Sequence, residues 1–476
     1  MKKYFILLFL SAPLCFFGLK AQVVSFTEEI QLRTEAGYEI IGELHGNTLL
    51  FKDRTNEFEI QAFNERMKEV WNKKIKLDRR SQQVLGIVSD NDQFTIVYRF
   101  REKGETIIKA HKYDPGANLI DSTIVKNYGR LFFTPEFEFA LSDDDSKLLI
   151  YHIDKQTLLK AVCFDLQKMQ LLWERNIELE EYNSIRDYVF ILTNNRGDLI
   201  YIIERDNTIS RREDHHFSVY YFRGTTDVIT RYQVPMMEKL TYDVIFDFDN
   251  VNRKIVALGL YSEKNTTRAV GYFSLFIPEN PNQQYRLNFN EFSDDFVSNL
   301  VGKDVEDNKG LQECSIQEIV LRQDGGMLMV GEMNRQFERR LASSGRVVMD
   351  AYSRFIVDYY YDDIFIISIH PDGKDHWKEI LYKKQYSQDD NAIFSSFFLY
   401  KNPTQLRFLF NDEIRPENTV SEYILNGNGN LDRRSVLNTQ NLKLRLRFRD
   451  AVQVDFNEVV IPSERRNRLR LVKIEY

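Results

Sequence analysis

The sequence predicts an all-β fold, a single eight-bladed β-propeller whose N-terminal strand pairs with its C-terminal strands to close the ring. Three observations predict it. First, a hairpin recurs, as FEIQAFNERMKEVW at 58–71, KAVCFDLQKMQLLW at 160–173 and IFIISIHPDGKDHW at 364–377, and these copies hold all three tryptophans, Trp71, Trp173 and Trp377. Second, Trp173 follows Trp71 by 102 residues and Trp377 follows Trp173 by 204, so weaker copies are expected between them. Third, the chain ends in three strand-like runs and begins with a lone fragment, FTEEIQL at 26–32, that matches the tails WNKKIKL and WERNIEL. A ring whose last sheet is completed by both ends of the chain produces that arrangement and hides the edges an open sheet would expose.

Taken in order, the units are sets of four short apolar or alternating runs separated by polar turns, the pattern of half-buried strands. The first comprises AGYEIIGELHG, NTLLFKD, EFEIQAFN and KEVWNKKIKL; the second runs from QQVLGIVSD to LIDSTIVK, with Ser122 in the Trp position. The third ends in LLWERNIEL. The fourth and fifth place Thr230 and Tyr285 where Trp would stand, the sixth ends in HWKEIL and the seventh in DRRSVL. The last set is LKLRLRFRD, a run within 452–462, and RLRLVKIEY. Eight blades follow, with seven as the alternative because five units lack Trp. The turns between first and second strands (SDND, SDDDS, NNRGD, DNVNR, QDGG) are expected on one rim. Two insertions break the rhythm, near 288–312 and at 334–361.

Composition agrees with a folded chain: 43% hydrophobic, 28% charged and 13% aromatic residues suit a large β-rich core. Residues 1–21 read as a signal peptide, with Lys2 and Lys3, an apolar run from 4 to 14, and Ala21 before the expected cleavage point. The propeller domain is then 22–476. Cys15 raises lipid anchoring as an alternative, but Leu14 fits a lipobox poorly, so the expectation is an exported protein, periplasmic or extracellular. Removing 1–21 removes three lysines and no acids, which takes the net charge from −7 to −10. That balance and export argue against nucleic acid as a partner. No other run is long enough for a transmembrane segment. Cys163 and Cys314 fall in different units and are expected as free buried thiols.

The recurring hairpin resembles the repeat of the quinoprotein (PQQ-type) β-propeller superfamily, in which an Asp and a turn Gly precede a Trp. Asp165 stands eight residues before Trp173 and Gly373 four before Trp377, while Met67 and Met169 occupy the Gly position in the other two copies. The layout is also similar to exported bacterial propellers of unassigned function. The superfamily includes quinone-dependent dehydrogenases and non-catalytic envelope scaffolds, so the resemblance implies the architecture and leaves both activities open.

Candidate sites were weighed against structural roles. Identical repeat positions assign Trp71, Trp173 and Trp377 to packing between blades. Asp143, Asp144 and Asp145 lack the spaced ligands of a calcium loop and read as a turn. His215 and His216 are adjacent, so on a strand they face opposite ways, and they read as a surface loop. The alternating LKLRLRFR at 442–449, with Arg465, Arg466, Arg468 and Arg470, reads as the solvated basic face of an exposed strand, with an anion or lipid-headgroup surface as the alternative. The second insertion is the preferred binding surface. Its Arg335, Arg339, Arg340, Arg346, Tyr352, Tyr359, Tyr360 and Tyr361 are the residue types enriched at interface hot spots; the competing reading makes DYYYDDIF the start of a strand. No dedicated catalytic, nucleotide or metal motif is present, and neither metal nor cofactor is expected. The expected function is therefore binding or scaffolding in the cell envelope by a chain monomeric in itself, with a protein or glycan partner. The alternative is a propeller enzyme, a hydrolase, lyase or quinone-type oxidoreductase, with its site in the central funnel.

Overall fold

The computed structural model describes residues 22–476 except 33–36, 55–56, 79–81, 91, 225, 227, 265, 303–309, 341–354, 416–418 and 440–441. The signal-peptide reading of 1–21 lies outside the described residues. Eight antiparallel sheets form eight blades. Blades 1 to 7 occupy 37–75, 83–130, 138–178, 188–235, 240–291, 314–381 and 398–438, each with four strands in chain order, innermost first. Blade 8 takes Val452–Asp455, Glu458–Arg465 and Arg468–Glu475 from the C-terminus. Its outer edge is supplied by Val23–Phe26 and Ile30–Gln31.

That closure is in register from Val23 opposite Glu475 to Phe26 opposite Val472, and resumes at Ile30 opposite Leu469. Thr27 bridges the gap: its N–H donates to the Leu471 carbonyl and its hydroxyl oxygen accepts from the Leu471 N–H, each at 3.0 Å. The closing segment thus begins earlier than FTEEIQL. A buried clasp ties blade 8 to blade 1, where Lys473 sits between Glu43 (2.9 Å) and Glu458 (2.5 Å).

The core is a set of wedges, most lying between neighbouring sheets. Leu159, Cys163 and Trp173 of blade 3 meet Leu199, Tyr201 and Phe222 of blade 4, and Phe58 and Ile60 of blade 1 meet Phe94 and Tyr98 of blade 2. Trp173 shows the repeat at its fullest. Its indole N–H donates to the Gly197 carbonyl at 2.7 Å and its ring meets Phe222 edge-on, both in blade 4. Trp377 reaches into blade 7 at the Gly427 carbonyl (3.4 Å), and half-buried Trp71 packs against the wedge between blades 1 and 2. The residue four before each Trp is left-handed in all three copies, with φ of 55° at Met67, 51° at Met169 and 85° at Gly373. Left-handed backbone disfavours side chains, yet Met67 and Met169 are only 1% and 5% exposed, so burial of a thioether side chain offsets the backbone cost.

The polar first turns do share a rim. His45 contacts Asp92 across blades 1 and 2, the Asp144 N–H donates to Asn195, the Asn195 N–H donates to Asn250, and Lys254 reaches the Gly325 carbonyl. Asp144 caps its own turn, accepting from Ser142 and Ser146. The opposite end of the ring carries the connectors between blades, and both insertions emerge there.

Two sequence expectations are corrected, and one element is added. The run 442–449 is no strand: it connects blade 7 to blade 8 with a single bridge, Leu446 to Ser463, and a short helical turn, Phe448–Asp450. Leu444, Leu446 and Phe448 are buried as the alternation requires, but the arginines are not a solvated stripe. Arg445 lies 3.7 Å over the Phe394 ring, Arg447 pairs with Asp450 and Glu464, and Arg449 covers Tyr361. His215 is not on the surface. It is 1% exposed, because Arg205 and Thr241 satisfy both ring nitrogens. The first insertion contains a helix, Asp294–Val301, capped by the Ser293 hydroxyl and ended by left-handed Gly302, with Phe296, Val297 and Leu300 buried. Cys163 and Cys314 are free and buried in separate blades. Among the described residues, no helix is long and apolar enough to cross a membrane.

Candidate functional site

The second insertion is built as a β-ribbon. The second strand of blade 6, Met327–Arg340, and its third, Phe355–Ile369, run past the sheet end as a pair from Asn334 opposite Tyr361 to Arg340 opposite Phe355. A bulge between Glu332 and Asn334 starts the extension, and bulges bend and twist the strand that carries them. Gln385–Gln388, from the connector to blade 7, adds a third strand against 358–361. DYYYDDIF is therefore part of a strand and of the insertion at once.

A buried polar network pins the foot of the ribbon. Lys383 and Glu332 pair at 2.7 Å with both side chains 0% exposed. Lys383 also donates to the Tyr361 carbonyl and to Gln385, while the Ser396 hydroxyl donates to Glu332 at 2.7 Å. Burial pulls the Lys383 ammonium below its ordinary range, against the opposing pull of Glu332. A buried ion pair with these added hydrogen bonds favours one geometry even where its net stabilisation is small.

Strand alternation sorts the ribbon's side chains into two faces. One carries Arg335, Phe337 and Arg339, then Asp358 and Tyr360, then Tyr386 and Gln388. The Arg335 guanidinium lies 4.6 Å from the Tyr360 ring centre, which is 5.1 Å from that of Tyr386. Arg339 forks onto Asp358 at 2.5 and 3.3 Å, and the Tyr386 hydroxyl donates to the same carboxylate at 2.7 Å. These donors hold the Asp358 carboxyl below its usual range. Phe337 and Tyr386 remain 48% and 46% exposed. The other face turns inward, with Tyr359 donating to Asn391 and Tyr361 lying under Arg449.

Of the eight residues the sequence nominated, Arg335, Arg339 and Tyr360 share the outer face, and Tyr359 and Tyr361 support it from behind. Arg340 ends the strand, its side chain outside what is described; Arg346 and Tyr352 lie outside the described residues. Phe337, Asp358 and Tyr386 were missed. The period-two spacing of Arg335, Phe337 and Arg339 carried the signal for the first, and nothing in the chain order placed Tyr386 beside them.

A second polar concavity sits where the innermost strands of blades 8 and 1 begin. It is a cavity of about 560 Å³ lined by Tyr38, Glu39, Arg447, Asp450, Val452 and Glu464 among others. Arg447 is held by Asp450 and Glu464, and the Tyr38 hydroxyl donates to Glu464 at 3.4 Å. Glu39 is exposed at the mouth of this cavity, and the protein crowded around it raises its carboxyl above its ordinary range. Among its described lining residues there is no histidine or cysteine.

The chain thus belongs, by its own sheets, to the class of closed eight-bladed β-propellers carrying a structured ribbon on the connector end. No protein-family model matches it, and no curated protein does. Several solved structures are similar to it at low identity. Porphyromonas gingivalis dipeptidyl peptidase 4 is 9% identical, with a TM-score of 0.48 over 90% of this chain and 56% of that one. The β-propeller domain of the Trilobed protease from Pyrococcus furiosus is 10% identical, with a TM-score of 0.36 over 87% and 98%. A protein from Lactobacillus plantarum is 10% identical, with a TM-score of 0.39 over 86% and 97%. The chain spans little more than half the length of the first of these.

Proposed function

We propose that the protein is a non-catalytic binding or scaffold module, exported to the cell envelope, that engages a protein or glycan partner through the ribbon of blade 6. The observation that carries this reading is the ladder of Arg335, Phe337, Tyr360 and Tyr386, half-exposed aromatics and a stacked guanidinium held on a rigid support. Arg and Tyr anchors that need no ordering on binding are what hot spots are made of. The experiment compares wild type with a Phe337→Ala, Tyr386→Ala double variant in pull-downs from envelope extracts. Loss of a partner, with the unfolding temperature unchanged, supports the reading; an identical set of partners refutes it.

A second reading, a propeller enzyme with its site in the funnel, is favoured by Glu39, an exposed carboxyl raised above its ordinary range at a polar cavity beside the innermost strands, since raised carboxyls in clefts are candidates for acid–base work. Native mass spectrometry before and after denaturation separates the two. A stoichiometric small organic cofactor or metal shifts the assignment to the enzyme, and a co-purifying protein or glycan shifts it to the scaffold.

A further inference from the structure

We propose that the tip of blade 8 is a binding site for a phosphoryl group. Residues distant in sequence converge on one cavity of about 360 Å³: Lys443, Ser463, Arg465, Arg466, Arg468, Arg470 and a single acid, Glu29. Lys443 comes from the connector after blade 7, Glu29 from the closing N-terminal segment, and the arginines from the hairpin of Glu458–Arg465 and Arg468–Glu475. Five cations therefore face one carboxylate on a chain whose overall charge is −7.

The hairpin pairs Ser463 with Arg470 and Arg465 with Arg468, so strand alternation puts all four side chains on one face. Like charges directly opposite one another destabilise a sheet. Glu29 relieves part of this, at 2.6 Å from Arg468 and 3.3 Å from Arg470, and Arg470 also donates to the Leu442 carbonyl at 3.2 Å. Among the described residues, Lys443, Arg465 and Arg466 form no ion pair. The connector's other arginines behave differently. Arg445 and Arg447 both turn to carboxylates, Asp390 and Asp450.

Arg466 and Asn467 form the two-residue turn with φ of 49° and 60°, and Lys443 stands at 55°. Hairpin turns of this hand favour Asn and Gly. Asn467 obeys that preference, whereas Arg466 and Lys443 adopt left-handed backbone with long cationic side chains. Opposed arginines and three cations without an ion pair among the described residues are local costs to the free protein. A bound polyanion offsets them, because guanidinium forks match phosphoryl oxygens in pairs and an ammonium adds a point charge. A carboxylate brings one charge and two oxygens, too few for five cations. A phosphoryl dianion brings two charges and three oxygens, and the cavity leaves room for the molecule that bears it.

The same chemistry is offered by a soluble phosphate compound and by a phosphomonoester lipid headgroup, so the test has two arms. Calorimetric titration with pyrophosphate compares the full chain with an Arg465→Glu, Arg466→Glu double variant and, separately, with Lys443→Glu, all checked for wild-type unfolding temperature. Vesicle flotation compares phosphatidylcholine alone with an equal mixture of phosphatidylcholine and phosphatidic acid, whose headgroup is a phosphomonoester. Saturable binding of one pyrophosphate per chain, weakened at least about tenfold by either variant, supports a soluble ligand. Flotation with the anionic vesicles alone, abolished by the same variants, supports a headgroup. The proposal is overturned if neither probe binds at low ionic strength, where exposed charges are least screened, or if every folded variant binds as wild type does.

Discussion

Glu204 and His215 make a buried pair whose titration is readable from its hydrogen bonds. The His215 Nδ1–H donates to the Arg205 carbonyl at 2.7 Å, and burial lowers the ring's pKa to about 4. Above that the ring is neutral, with Nε2 bare and accepting from the Thr241 hydroxyl at 2.9 Å. Glu204 Oε1 lies 3.8 Å away with both side chains almost wholly buried. Burial, with Asp243 and Asp187 adding to it, raises its carboxyl from 4.5 to about 7. Between those two values the folded chain keeps a proton that the unfolded chain releases, so this group's contribution is full below about 4.5 and is lost as pH rises through about 7. The loss is about 3 kcal/mol. A Glu204→Gln variant lacks it. His215 runs the opposite way, with stability lost as pH falls toward about 4, and it is common to both proteins, so it drops out of their difference. Relative to wild type, the variant should gain about 3 kcal/mol between about pH 4 and about pH 8. At about 2 cal/mol/K of unfolding entropy per residue, that is a relative rise of roughly 3 °C in unfolding temperature. Scanning calorimetry of both proteins across the range reads it. A difference between the two that stays constant with pH, or grows in the acidic direction, refutes the assignment of a protonated Glu204.

Three further outcomes are expected. Gly224→Ala places a methyl 2.3 Å from the Trp173 indole nitrogen, so either the blade 3–blade 4 wedge or the indole hydrogen bond must give; urea unfolding followed by tryptophan fluorescence should show a loss of about 1–3 kcal/mol. Lys383→Ala leaves Glu332 buried without its cation and should cost about 3–5 kcal/mol, while replacing both by apolar residues of similar volume recovers most of it, read by the same unfolding curves. Cys163 and Cys314, buried with thiols pushed up to about 12, should resist a thiol reagent in the native protein and react once denaturant is added, as absorbance of the released chromophore would record.

The repeat was legible because it is written in side chains that the fold uses in every copy. Trp173 and Trp377 bond to the following blade, and Thr230 sits opposite Tyr221 in the outermost pairing of blade 4 without an indole. Tyr285 falls one residue before the outermost strand of blade 5. The turn position was legible as Gly only at Gly373, since Met67 and Met169 take the same left-handed backbone and hide it behind a buried side chain. Helix Asp294–Val301 carried its own marks, Ser293 before it, Gly302 after it and Phe296, Val297 and Leu300 on one side. Eight residues in an acidic stretch were too short a window to stand out. The connector 442–449 has perfect strand alternation, and only its place between two sheets decides that it crosses them. The ribbon's outer face depends on Tyr386 arriving from a connector, and the blade 8 cavity on Glu29 meeting residues more than four hundred positions away. Sequence order does not encode either meeting.

The closure of blade 8 also sets an order of events. Val23 pairs with Glu475 and Ile30 with Leu469, so the segment synthesised near the start finds its partner only when the final strand exists. Blades 1 to 7 are each built from neighbouring stretches and can form in sequence as the chain lengthens, whereas the last sheet must wait, with the N-terminal segment held unpaired meanwhile. Contacts of such long separation form slowly, and an incomplete ring presents two strand edges, the state in which chains exchange strands with one another. A ring of this design trades a late and exposed final step for an assembled molecule in which neither end of the sheet system is left open.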